Sequence, residues 1–191
     1  MKQIQITREP DGNVNFETVA VDRTETVFFI NLDPLDEHHP DLINNKLGKA
    51  PSAPSSQANP DPSGEKTKVE YTCTIHGNEH GAILIFEPLA ETNTTLADAT
   101  NGQPIAEQQV VQGGMSPYQV SNQIFEVTNH GAIVDSGSGI GPGLQLTPTE
   151  DNNGIFVSGT PTLSGTYNFT FEVNDAMGGN LQQVQYVMNV A

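Results

Sequence analysis

Short runs in which apolar and polar residues alternate recur along this chain, and helical periodicity is nearly absent. The runs are closed by Gly, Asn, Asp and Pro, which is the pattern of strands joined by turns. The two clearest runs have their apolar positions at Tyr167, Phe169, Phe171 and Val173 and at Val184, Tyr186, Met188 and Val190. Because side chains alternate between the two faces of a strand, each run would bury one face against a second sheet. The sequence therefore predicts an all-β fold built of β-sandwiches.

The charged residues divide the chain into two parts. All seven Lys and Arg residues lie before Pro88, where 14 Asp and Glu residues accompany them. The remainder has nine Asp and Glu residues and no Lys or Arg. A chain of 191 residues is long enough for two domains that each bury a core. We predict one domain over residues 1–90 and a second over residues 96–191, joined by a polar linker from Pro88 to Thr95.

The net charge of −16 limits the partners that the protein can bind. Nucleic acids and anionic lipid surfaces attract basic side chains, so we expect no nucleic acid partner and no membrane insertion. No apolar run approaches the roughly 20 residues of a membrane-spanning helix. An acidic composition rich in Gly, Asn and Thr favours an exported protein in its mature form, either periplasmic or extracellular. Nothing in the sequence indicates an oligomeric state.

Histidine and cysteine are concentrated in two short segments. Four of the five histidines form two groups, His38 with His39 and His76 with His80, and the single cysteine, Cys73, precedes His76 by three residues. A lone cysteine cannot form an internal disulfide. A thiolate with two imidazoles favours copper in a trigonal site with a weak axial group, whereas zinc ordinarily takes a fourth tight ligand. The clustering therefore predicts a copper site.

The spacing of these residues explains how the donors could meet. Val69, Tyr71 and Cys73 face the same side of a strand, so the sulfur should point inward at the end of a buried face. His76 follows on a short turn, and the other histidine pair follows a second apolar strand that ends near Asn31. Both groups could therefore converge at one end of a sandwich.

Two segments of the first domain form a family pattern. One is Thr26–Asn31 followed by His38, and the other is Tyr71–His76, which holds a Tyr-x-Cys-x-x-His motif and precedes a Gly-containing turn and an apolar strand. With this pattern, residues 1–90 resemble the cupredoxins, the blue-copper family. The resemblance implies a Greek-key β-sandwich that holds one copper ion per chain.

The resemblance also implies a set of ligands. His38 would be the first imidazole ligand, Cys73 the thiolate and His76 the second imidazole. His39 stays open as the alternative to His38, because the insertion at residues 33–37 leaves the register between the two unsettled.

The first domain departs from the family at the axial position. Most cupredoxins have a Met a few residues after the second His, but here Glu79 and His80 stand three and four residues after His76. A harder and stronger axial donor would lengthen the copper–sulfur bond and stabilise Cu(II). If either residue ligates, we expect a lowered reduction potential and a colour shifted from blue toward green or red.

Turns rich in Gly and Pro, followed by an aromatic strand, characterise the second domain. The segments are Gly113–Tyr118, Gly141–Leu146, Val157–Thr162 and Gly165–Thr170. Together they make residues 96–191 resemble the immunoglobulin-like modules of bacterial surface and secreted proteins, which implies a second sandwich with a spacer or adhesion role. Asp151–Gly154 and Asn174–Asp175 have oxygen donors but are typical of ordinary turns, so we expect no calcium site.

Three functions are compatible with these residues. We favour a copper protein that carries single electrons to a redox partner and is not an enzyme, and the acidic surface favours a cationic partner. The alternative is a secreted or surface copper-binding or adhesion module with a structural metal site, in which zinc could replace copper. The third is a Cys/His hydrolase with Cys73 as its nucleophile, for which the sequence nominates no oxyanion site.

Overall fold

The computed structural model describes residues 2–50, 57–58, 67–92, 95–151 and 153–191. Those residues form β-strands with the turns and loops that join them, and no helix, so the predicted all-β class is confirmed. Within them, no helix long and apolar enough to cross a membrane is found. The chain divides into two compact units, Met1–Phe86 and Glu87–Ala191.

Seven strands among the described residues build the first unit. They are β1 (Lys2–Arg8), β2 (Val14–Phe16), β3 (Val19–Asp22), β4 (Val27–Asn31), β5 (Gln57–Ala58), β6 (Lys68–Thr72) and β7 (His80–Phe86). One sheet has the order β2-β1-β4-β5, with β1 and β4 parallel. The other has the order β3-β7-β6, with β3 and β7 parallel and β6 and β7 antiparallel. The Greek-key and sandwich descriptions stay predictions.

One buried cluster receives side chains from both sheets of the first unit. Tyr71 of β6 is 1% exposed, and its ring meets Phe29 of β4 edge to face with the centroids 5.0 Å apart. The Tyr71 hydroxyl donates to the Glu17 carbonyl at 2.7 Å, and burial raises the pKa of this tyrosine above its usual range. Cys73 is also 1% exposed and belongs to the same cluster. The thiol therefore lies at the end of the core.

Eight strands among the described residues build the second unit. They are β8 (Ala90–Glu91), β9 (Ile105–Gln112), β10 (Gln119–Asn129), β11 (Ala132–Ser138), β12 (Leu144–Pro148), β13 (Ile155–Gly159), β14 (Gly165–Asn174) and β15 (Asn180–Val190). Their orders are β11-β10-β14-β15 and β12-β13-β9-β8, and both sheets supply one buried cluster. The two alternating runs of the sequence lie in β14 and β15 and bury their apolar positions there. The immunoglobulin-like assignment stays a prediction.

Residues 87–92 belong to the second unit and not to a free linker. The sequence predicts a linker from Pro88 to Thr95, whereas Ala90 and Glu91 pair with β9, and Leu89 packs against the second cluster. A strand of two residues is too short to show alternation, which is why no pattern reveals it. Residues 93 and 94 of the predicted linker lie outside the described residues.

A close approach between Gly81 and Tyr71 generates a prediction about the first core. The two residues face each other across β6 and β7, and a Cβ at position 81 would overlap the Tyr71 hydroxyl and Cζ. Tyr71 cannot move aside, because Phe29 and the hydrogen bond to Glu17 fix its ring. We expect Gly81→Ala to lower the free energy of unfolding by about 1–3 kcal/mol through overpacking. Urea unfolding followed by circular dichroism measures this change.

Gly48→Ala is the matched control for that measurement. A Cβ at Gly48 meets nothing within 4 Å, so we expect a change within about 0.5 kcal/mol. Equal destabilisation in the two variants would contradict the packing described for Tyr71.

Candidate metal centre

His38 lies in the long loop that follows β4, and backbone hydrogen bonds hold it there. Its N–H donates to the Leu47 carbonyl at 3.1 Å, and its carbonyl accepts from the Leu47 N–H at 2.8 Å. The Asn31 side chain, at the end of β4, donates to the carbonyls of Asp36 and Gly48, both at 2.9 Å. The loop is therefore fastened on both sides of His38, whose side chain is fully buried.

The loop between β6 and β7 carries three further donors, Cys73, His76 and Glu79. The Cys73 N–H donates to the Glu79 carbonyl at 2.8 Å, and the Glu79 N–H donates to the His76 carbonyl at 3.0 Å. Thr72 and His80, on either side of the loop, are paired in the sheet. A short loop that is closed at its base leaves its side chains few alternative positions.

Backbone hydrogen bonds join these two loops, although they follow strands of different sheets. Pro40 and Cys73 form an antiparallel bridge, and the Thr74 N–H donates to the His39 carbonyl at 2.8 Å. Strand-like pairing thus continues beyond the end of β6. This pairing brings His38 beside the loop that carries the sulfur.

Four side chains bring their donor atoms together, namely His38, Cys73, His76 and Glu79, whose ligand atoms all lie within 4.8 Å of one another. The Cys73 Sγ is 3.9 Å from His38 Nδ1 and 3.8 Å from His76 Nδ1. The Glu79 Oε2 is 2.9 Å from His38 Nδ1 and 3.3 Å from His76 Nδ1. A sulfur and a nitrogen bound to one ion at about 2.3 and 2.0 Å lie at most about 4.3 Å apart, so these four donor distances are short enough for a shared ion. The group can hold a metal ion.

The four donors differ in their exposure to solvent. His38 is 0% and Cys73 1% exposed, whereas the side chains of Glu79 and His76 are 17% and 36% exposed. The His38 ring also packs edge to face on Phe16, with the centroids 5.5 Å apart. The site is therefore closed toward the core and reaches solvent at His76.

His39 lies outside the group, although it follows His38 directly. Its Nε2 donates to the Ile43 carbonyl at 2.9 Å, which leaves its Nδ1 to accept from the Thr74 hydroxyl at 2.8 Å. Successive residues of an extended backbone project to opposite sides, which explains why only one of the two imidazoles faces the sulfur. The His39 N–H donates to the Cys73 Sγ at 3.4 Å. His39 therefore contributes its backbone and not its ring.

His80 also lies outside the group. It is the first residue of β7, its side chain is exposed, and its Nδ1 lies 3.2 Å from the Asn78 carbonyl. The preceding residue, Glu79, points toward the two imidazoles instead. Of the two axial candidates from the sequence, the structure brings only Glu79 to the donors.

Asp33 is a buried carboxylate that sequence reasoning missed. Its Oδ2 accepts from His38 Nε2 at 2.9 Å, and the Arg8 guanidinium donates to its Oδ1 at 3.0 Å and to its Oδ2 at 2.7 Å. Burial raises the pKa of Asp33, but the hydrogen bonds from Arg8 and His38 outweigh it and hold the pKa well below the usual range. Arg8 and Asp33 are 25 positions apart, so no local pattern connects them.

No protein-family model matches this chain, and no curated protein matches it. What indicates a possible metal site is therefore the distances between the four donors and the chemistry of those donors. One thiol, two imidazoles and one carboxylate are compatible with copper and with zinc.

The different positions of the adjacent histidines generate a prediction. We expect His38→Gln to lower the affinity for Co(II), a spectroscopic probe, by at least about 100-fold, since loss of an outer-shell partner alone costs about 10–100-fold. We expect His39→Gln to leave the affinity within a few-fold of the wild type, because its ring bonds elsewhere. Titration of metal-free protein followed by visible absorption measures both affinities. Comparable losses in the two variants would mean that His39 ligates.

Proposed function

We propose that this is a mononuclear copper protein of the cupredoxin type that carries single electrons. His38, Cys73 and His76 would hold one copper ion per chain, with Glu79 as the axial ligand. The observation that carries this proposal is the meeting of one thiol with two imidazole nitrogens, at 3.9 and 3.8 Å, from two separate loops. That donor set is the one used by copper electron-transfer sites. Bound copper would supply one-electron chemistry between Cu(II) and Cu(I).

Hydrogen bonds to the donors support an electron-transfer role, because they hold the ligands in place. The Cys73 Sγ accepts from the His39 N–H at 3.4 Å, and the Cys73 N–H is bonded to the Glu79 carbonyl at 2.8 Å. The His38 ring is held from its far side by Asp33. A site whose donors stay in position when the charge of the ion changes needs little rearrangement, and fast electron transfer requires this.

The solvent-facing edge of the site supports contact with a redox partner. His76 has a 36% exposed side chain, so its ring offers an electron a path to the surface. Within the described part of the first unit, the exposed large apolar residues all lie on the two ligand loops: Ile75 is 40%, Leu32 42% and Leu35 57% exposed. Exposed apolar side chains on the loops that carry the ligands favour docking there, and the net charge of −16 favours a cationic partner.

The burial of Cys73 favours an electron carrier over a hydrolase. A nucleophilic sulfur must contact the carbon that it attacks, whereas this thiol is 1% exposed and is surrounded by core side chains and the two imidazoles. An electron needs no such contact. The proposed activity therefore includes no bond chemistry.

A structural zinc site is the second candidate, and the position of Glu79 favours it. Structural zinc takes four tight ligands, and Glu79 supplies a fourth donor to the thiol and the two imidazoles. Zinc would then stabilise the two loops of a secreted or surface module. The two candidates differ in redox chemistry, because zinc has a single accessible oxidation state.

For the second unit we propose an immunoglobulin-like spacer or adhesion module in a periplasmic or extracellular protein. After Pro88 its charged side chains are all acidic. The Asp175 carboxylate is used within the fold, because it accepts from the N–H groups of Met115, Met177 and Gly179 at 3.1, 3.0 and 2.6 Å. These contacts give Asp175 a structural role within the unit.

Copper titration of the metal-free, full-length protein tests the proposal. We expect one equivalent of Cu(II) to produce an intense sulfur-to-copper charge-transfer band that is absent in Cys73→Ser. Voltammetry should then show a reversible one-electron couple. Copper binding without that band, or tight Zn(II) binding in a protein that shows no copper couple, would reject the electron carrier and favour the structural site.

Glu79 generates a prediction about the colour and the potential of the copper site. We expect Glu79→Met to change the colour of the copper-loaded protein toward blue, with its main absorption band moving to longer wavelength. We also expect the variant to have a higher reduction potential, because an anionic donor that stabilises Cu(II) is replaced by a soft thioether. His80→Met is the matched control, since His80 is exposed and lies outside the donor group. If His80→Met produced these changes and Glu79→Met did not, the axial assignment would be wrong.

A further inference from the structure

Asp33 contacts His38 at the ring nitrogen that faces away from the other donors. Its Oδ2 accepts from His38 Nε2 at 2.9 Å and from Arg8 Nη2 at 2.7 Å. Its Oδ1 accepts from Arg8 Nε at 3.0 Å and from the Leu35 N–H at 2.8 Å. The side chain is fully buried. Both oxygens are thus occupied as acceptors, which is the arrangement of a carboxylate anion.

The contacts of the His38 ring indicate which nitrogen is available to a metal ion. Both ring nitrogens lie 2.9 Å from a carboxylate oxygen, Nε2 from Asp33 Oδ2 and Nδ1 from Glu79 Oε2. Only Nδ1 also faces the thiol, with Cys73 Sγ at 3.9 Å, so an ion shared by these donors would bind Nδ1 and leave the Nε2 hydrogen to Asp33, because a carboxylate only accepts. Metal-binding histidines commonly donate their second N–H to a carboxylate, which fixes the ring and strengthens it as a ligand.

We propose that Asp33, held by Arg8, is a positioning residue of the metal centre. It fixes the His38 ring with Nδ1 toward the other donors, and its negative charge favours the more highly charged state of a bound ion. The inference rests on the proposed function, because it concerns the same site.

Arg8 is itself fastened by groups outside the ligand set. It is the last residue of β1, its Nη1 donates to the Gly12 carbonyl at 2.7 Å, and its Nη2 also bonds the Asp36 carboxylate. The Asp33 N–H donates to Asn31 Oδ1 at 2.8 Å. Parallel pairing of β1 with β4 places the guanidinium beside the start of the His38 loop. The Asp33 carboxylate is therefore fixed in position and can orient the His38 ring.

The effect of Asp33 on a bound ion follows from charge. The attraction between a carboxylate and an ion grows with the charge of the ion, so Cu(II) gains more than Cu(I). Asp36 provides a comparison within the same network, because it contacts Arg8 but not His38 and is 48% exposed. Removing the Asp36 charge leaves the His38 contact intact.

The experiment compares Asp33→Asn with Asp36→Asn in the full-length protein. We expect Asp33→Asn to weaken Cu(II) binding by about 10–100-fold and Cu(I) binding by less. Each tenfold difference between those two losses raises the reduction potential by about 59 mV. We expect Asp36→Asn to leave both affinities within a few-fold of the wild type. Equal losses for Cu(II) and Cu(I) in Asp33→Asn, or equal effects of the two variants, would overturn the proposal.

Zn(II) affinity, measured on the same proteins, separates this inference from the proposed function. If the wild type binds Zn(II) but shows no copper couple, the electron-carrier function fails. The inference then still stands if Asp33→Asn loses about tenfold or more in Zn(II) affinity, and it fails if that affinity is unchanged.

Nuclear magnetic resonance of the zinc-loaded wild type gives a readout that does not depend on whether a variant folds. We expect the His38 hydrogen on Nε2 and slow exchange of that hydrogen with water, because Asp33 accepts it in a buried position. A hydrogen on Nδ1, or rapid exchange of the Nε2 hydrogen, would overturn the positioning role even if Asp33→Asn binds metal weakly.

Discussion

Backbone pairing between the two loops that carry the four donors is the interaction on which the candidate metal centre depends. The Pro40–Cys73 bridge and the bond from the Thr74 N–H to the His39 carbonyl join a loop that follows β4 to a loop that follows β6. Those strands belong to different sheets, so the pairing fixes the distance between donors that the sheets alone would leave undefined. Without it, each loop would keep only its own internal hydrogen bonds, and a metal ion would have to supply more of the free energy of ordering the two loops against each other.

Buried charge imposes a second constraint, because an unpaired ion in the core costs several kcal/mol. The Asp33 carboxylate is paired in this way, because it accepts hydrogen bonds from both Arg8 and His38. In the described part of the chain, no buried side-chain nitrogen or oxygen lacks a hydrogen-bond partner. Loss of one member leaves the others buried and incompletely bonded, so the network acts as a unit. It also connects β1 to the His38 loop, and through Glu79 to the sulfur loop.

Local patterns in the sequence predict the strands and donors that are set by local geometry. Alternation identifies β14 and β15, whereas β11 is exposed along nearly its whole length and carries no alternation to detect. Cys73 and His76 share one short loop, so their spacing alone predicts that they meet. The choice of His38 over His39 depends on the register of a long loop, and the partnership of Arg8 with Asp33 depends on strand order. Neither is encoded in a short window.

The four donors differ in burial, and this difference separates a buried pair from a solvent-facing pair. His38 and Cys73 are held in the core by loop pairing, so neither can leave the site unless the backbone opens. His76 and Glu79 are 36% and 17% exposed, so they form the side of the site that solvent reaches. A bound ion would therefore be held from the side of the core by His38 and Cys73, and it would meet solvent on the side of His76 and Glu79.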